Sequence, residues 1–232
     1  MNVSLNNQEQ MSLGRRIIAV FNNPRTAFED ISEQPRWLPS LLIITAVSLM
    51  AAVASIPKIK EYSLYTLEQQ AQIAPELAAS ADLVVNGAVA GAVLVGLFSP
   101  VFICLLYAGL LKLFNLFVGE PTQFRRFFGV TVYSYFPILI ATIIATGIIM
   151  VSPATHLEEI STSLYILFPP GSKGFAASFA RQIDPFFLWS LVLMALGSSI
   201  TSRARFDSYA VFVLGIWLIF ALGSAFLAQG VF

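Results

Sequence analysis

The residues that could do chemistry are few. His156 is the single histidine of the 232-residue chain, and Glu158 and Glu159 follow it closely. Zinc normally recruits more nitrogen or sulfur ligands than this trio offers, so the cluster reads as a solvated loop and not as a metal centre. Cys104 is the single cysteine, which excludes an internal disulfide framework and a cysteine metal cluster. No HExxH, GxSxG or P-loop pattern occurs. A serine nucleophile has no base at hand, because the one histidine sits in a polar loop. The expectation is a chain with no catalytic residue, no cofactor and no metal. Asp184 stands directly before Pro185. That pairing reads as a helix N-cap, its charge favoured by the helix dipole; a proton- or ion-coupling role would need it deeper in a membrane.

The elements around these residues are apolar. Hydrophobic residues make up 57% of the chain and charged ones 11%, with a mean hydropathy of +0.77. A soluble domain carries about 25% charge. Thirteen basic residues balance thirteen acidic ones, so no net field attracts nucleic acid, and none is expected as a partner. Apolar runs long enough to cross a bilayer recur at about 38–56, 84–112, 127–151, 185–200 and 208–227. They predict an all-α integral membrane protein with five transmembrane helices. Continuous apolar runs exclude a β-barrel, whose strands alternate. Pro57-Lys58 is expected to end the first span. The second run is free of charge between Asp82 and Lys112. A helix of that length reaches ~44 Å, more than the ~30 Å hydrocarbon core, so it must tilt, bend at Pro100 or project. Lys112 is expected to reach the headgroups. Residues 157–168 are too short to cross and are expected at the interface.

Residues 1–36 form a cytoplasmic tail followed by a short amphipathic segment. Asn23-Pro24 reads as a cap and first helical residue. Phe28 and Ile31 share one face, with Arg25, Glu29, Asp30 and Glu33 on the wet side. With Trp37 they are the predicted interfacial anchors. Nine of the thirteen basic residues (Arg15, Arg16, Arg25, Arg36, Lys112, Arg125, Arg126, Arg203 and Arg205) fall on one side of a five-span topology. That bias predicts a cytoplasmic N-terminus and an external C-terminus.

Small and polar residues within the spans mark helix contacts. Gly87 and Gly91 form a small-xxx-small pattern, suited to packing within the chain, to self-association or to a partner helix. Asn86, Asn115, Thr131, Tyr133, Ser134 and Tyr135 would be unsatisfied in lipid, so they should face other helices, water or a polar ligand. The sequence shows no continuous polar stripe across the membrane.

Three stretches together carry a resemblance. They are Asn23-Pro24 to Phe28 with Pro35-Arg36-Trp37, then Tyr133-Ser134-Tyr135-Phe136-Pro137, then Asp184-Pro185-Phe186-Phe187-Leu188-Trp189 with Leu196-Gly197. In this order, with five spans over about residues 15–228, the chain resembles the bacterial form of the Ypt-interacting protein (Yip) domain family. The resemblance implies a five-helix membrane domain, residues 37–232, with a cytoplasmic N-terminus. It marks Tyr133, Tyr135, Pro137, Asp184, Trp189 and Gly197 as candidate contacts beside Gly87 and Gly91. Eukaryotic members are associated with Rab-type GTPases and carry a long polar N-terminal region that this sequence lacks, so that partner is not expected. The expected function is non-enzymatic: an accessory or scaffold protein in contact with membrane lipids and another integral membrane protein, such as an ABC-type exporter or trafficking machinery. Removing residues 1–36 should then weaken partner capture without unfolding the bundle. The alternative is a facilitator moving lipid or a small apolar solute between helices.

Overall fold

Proline and polar caps set where the helices begin. Residues 11–71 and 81–228 are described by a computed structural model. Ser12 caps α1 (Leu13–Asn22), its hydroxyl accepting from the Arg15 N–H. Pro24 opens α2 (Pro24–Glu33), as its missing N–H allows. Two long helices follow, α3 (Leu38–Ala71) and α4 (Ala81–Phe114). The third apolar run is two helices, α5 (Phe124–Ser134) and α6 (Phe136–Val151), joined at Tyr135. After two 3-10 turns, Ala154–Glu159 and Leu164–Leu167, come α7 (Phe175–Gln182), α8 (Pro185–Thr201) and α9 (Phe206–Leu227). No strand occurs among the described residues. The chain is an all-α membrane protein.

α3, α4, the α5–α6 run and α9 are each long and apolar enough to cross a membrane. α8 alone is not; it makes a fifth span only together with α7, from which it is bent by 52°. The sequence pattern showed α8 but not α7, because FAASFARQ is short and mixed in polarity.

Two helix boundaries differ from expectation. Pro57 does not end α3, which continues to Ala71. Proline removes one backbone bond, but the outer half of α3 has packing to keep. Ser63 and Leu67 are buried there, and the helix lies against the turn Ala154–Glu159. The third span is interrupted as its proline requires. Pro137 sits in the first turn of α6, and the Tyr135 N–H reaches back to the Val132 carbonyl at 3.3 Å.

One end of the bundle is tied by its loops. The Asn115 amide donates to the Val118 and Glu120 carbonyls and accepts from the Thr122 N–H. The Glu120 N–H donates to Ser202 O at 2.7 Å, joining this loop to the α8–α9 turn. Lys112 donates to the Thr122 carbonyl at 2.7 Å, so its ammonium is held by the same loop.

Candidate functional site

The break between α7 and α8 brings charged residues to an apolar space. α7 descends along α9: the Phe175 ring lies 5.1 Å from that of Phe226, and the Trp217 indole N–H donates to Gln182 O at 3.3 Å. Trp217 is ~17 Å along α9 from Phe206, in a helix ~33 Å long. The break therefore lies level with the middle of α9. Asp184 Oδ1 accepts from the Phe186 and Phe187 N–H groups at 2.8 and 3.0 Å, and Oδ2 accepts from the Thr162 hydroxyl. The predicted N-cap is present. Arg181 stands over the Tyr165 ring, 3.4 Å from its centroid. Among the described residues Arg181 and Asp184 make no ion pair with each other.

Both charges line a groove of about 550 Å³ between α4, α6, α8 and α9. Its walls are apolar, among them Leu106, Leu110, Ile138, Phe187, Ile216 and Phe220. A concave apolar space of ~300–1,000 Å³ with a few convergent polar groups is the usual form of a small-molecule site.

A second cleft, about 430 Å³, lies between α3, α4 and α6. Ser48, Ser55, Ser99, Tyr135, Thr142 and Thr146 line it. Three helices thus assemble a hydroxyl-rich surface that no one span displays. Several of these hydroxyls are engaged with their own helices: Ser55 donates to Ala51 O, Thr142 to Ile138 O and Thr146 to Thr142 O.

Two of the three predicted interfacial anchors are core residues instead, and Trp37 is only partly buried. Phe28 and Ile31 are fully buried, and the Trp37 ring packs edge-on against Phe128 at 4.8 Å. The reason is α8 and α5, which cover the apolar face of α2. Asp30, expected on the wet side, pairs with Arg16, whose side chain is 2% exposed. Arg16 also donates to Gln34 O at 3.1 Å, tying α1 to the end of α2. Residues 13–36 are thus part of the bundle, and the expectation that the bundle survives their removal is not supported.

The other candidates divide in two. Gly197 is a close-packing position: a Cβ there would lie 2.7 Å from both Phe28 Cδ1 and Val130 Cγ1. Tyr133 is fully buried and its hydroxyl donates to Arg36 O at 3.1 Å. Trp189 is 40% exposed and packs edge-on against Phe21. Gly87 and Gly91 meet nothing within 4 Å. The close approach of α3 and α4 is made at Gly96 instead, where a Cβ would lie 2.8 Å from Ala52 Cβ. Thr131 bridges helices, donating to Cys104 O at 3.0 Å. His156 Nδ1 and Glu159 Oε2 are 3.0 Å apart on an exposed turn. Among the described residues no three His, Cys, Asp or Glu side chains are grouped to hold a metal.

Comparison with known proteins agrees with the sequence resemblance. The chain is 27% identical over 215 residues to "Membrane protein YknW" of Bacillus subtilis (strain 168), a match covering 90% of this chain and 89% of that protein. No solved structure matches. The family model described as the Yip1 domain matches residues 18–227, and the chain belongs to that family.

Proposed function

We propose that this protein is a non-enzymatic accessory or scaffold protein that binds another integral membrane protein along the outer face of α4. The observation that carries this reading is the exposure of that helix. Only 11% of its most apolar stretch is buried, less than in the other candidate spans. Gly87, Gly91 and Gly109 stand open on it, and small residues permit close helix approach in lipid. An exporter or trafficking component is the partner class implied by the resemblance. The basic bias supports a cytoplasmic α1–α2 end. Affinity purification of the full-length protein in native nanodiscs tests the reading. A stoichiometric integral membrane protein should co-purify, and its absence would refute the scaffold role.

The groove at the α7–α8 break favours a second reading, a facilitator of lipid or small apolar solutes. Its test is flux across liposomes containing the purified protein.

A further inference from the structure

We propose that the groove between α4, α6, α8 and α9 binds one phospholipid whose headgroup carries both a phosphate and a primary ammonium. This deepens the lipid reading but needs binding only, not movement.

Two opposite charges face one apolar space and do not neutralise each other. Each is held by something else. Arg181 is stacked on Tyr165, which is itself anchored by its hydroxyl donating to Ser172 O at 3.3 Å. Stacking occupies one face of the guanidinium and leaves its in-plane N–H groups able to donate, as phosphate recognition needs. Asp184 is fixed by two backbone N–H groups and the Thr162 hydroxyl. A carboxylate accepts about four hydrogen bonds, so one position remains. Neither charge has an ion-pair partner among the described residues. A ligand with an anion for Arg181 and a cation for Asp184 completes both.

The remaining walls set the rest of the ligand. Ile103, Leu106, Leu110, Ile138 and Phe220 offer no polar partner and suit an acyl chain. The ammonium must donate a hydrogen bond to Asp184, which an ethanolamine headgroup does and a choline headgroup does not. A phosphatidylglycerol headgroup meets Arg181 but brings no cation to Asp184.

The test uses the full-length protein in nanodiscs of equal phosphatidylethanolamine, phosphatidylcholine and phosphatidylglycerol, with native mass spectrometry of retained lipid. The wild type should retain the ethanolamine lipid about tenfold over the other two, as one extra charged hydrogen bond implies. Asp184→Asn keeps the capping oxygen and loses the charge; its preference over phosphatidylglycerol should vanish. Arg181→Gln should lower retention of all three phospholipids, and Ala141→Phe should exclude the chain by filling the groove. Equal retention of the three lipids by the wild type overturns the proposal. So does an unchanged pattern in Arg181→Gln and Ala141→Phe, which keep the proposal testable if Asp184→Asn fails to fold. Retained ethanolamine lipid without liposome flux removes the transport reading and leaves the site standing; flux without lipid preference does the reverse.

Discussion

The ring of Phe28 occupies the space that a side chain on Gly197 would need, with Cδ1 2.7 Å from the position of a Cβ. An N-terminal helix is thereby locked onto α8. Phe28 is fully buried, so Phe28→Ala should cost about 3–5 kcal/mol, as expected for a large aromatic removed from a core. Gly197→Leu should prevent α2 from docking. Both should lower the melting temperature in detergent, and deletion of residues 1–36 should lower it at least as much. A deletion variant melting like wild type would show that α2 is not part of the core.

The helix starts were legible because their signals are local. Asn23-Pro24 and Asp184-Pro185 lie within the turn they initiate. The destination of an apolar face is not local. Phe28 and Ile31 would look the same against lipid as against α8, and only the folded chain decides. The same holds for glycines. Gly87 and Gly91 show the packing pattern, yet Gly96 makes the approach to α3, because the register of two helices is set by all their contacts. The site at the α7–α8 break was half legible. Asp184 read as a cap, whereas Arg181 gave no signal, since its meaning depends on Tyr165 and on a groove built from four helices.

Arg16 and Asp30 form the ion pair that closes α1 onto α2, with side chains 2% and 19% exposed. Removing one partner of a buried pair costs about 3–5 kcal/mol, because the other charge is stranded. Arg16→Ala should therefore destabilise strongly, and Arg16→Met with Asp30→Leu should recover much of the loss. Thermal unfolding of the two variants beside the wild type checks this. A double variant as unstable as Arg16→Ala would mean that the charges are needed for more than each other.

Gly119 has a φ of +78°, and a Cβ on it would lie 2.6 Å from the backbone oxygen of Ser202. An L-residue in this conformation costs about 1–2 kcal/mol even in open space. Gly119→Ala adds a collision with backbone that is also bound by the Glu120 N–H. The loop joining α4 to α5 should detach from the α8–α9 turn, read as faster amide exchange at Glu120 and Thr122. Exchange at wild-type rates would rule out this locking role.

Asp184 should respond to substitution as a cap before it responds as a charge. Asp184→Ala strands two backbone N–H groups and should cost about 1 kcal/mol. Asp184→Asn retains an acceptor and should stay near wild-type stability. Thr162→Val removes the hydroxyl that donates to the carboxylate, and should loosen the loop before α7 more than α8 itself. Melting temperatures order the first two variants, and proteolysis within residues 160–174 reports the third. An Asp184→Asn variant no more stable than Asp184→Ala would show that charge, not capping, holds α8.

The outer face of α4 separates folding from partner binding. A Cβ on Gly87 or Gly91 would meet nothing within 4 Å, so a side chain there starts into open space. Leucine also favours a helix over glycine by roughly 0.5–1 kcal/mol. Gly87→Leu and Gly91→Leu should therefore fold as well as the wild type, with equal or higher melting temperature. If a partner helix packs closely here, the same leucines hold it away, and recovery of the co-purifying membrane protein should fall about tenfold for a loss near 1.4 kcal/mol. Gly96→Leu is the contrasting variant: it collides with Ala52 and the Ser48 carbonyl, and should fail by destabilising the α3–α4 pair. Full capture by both outer-face variants would place the partner elsewhere on the bundle.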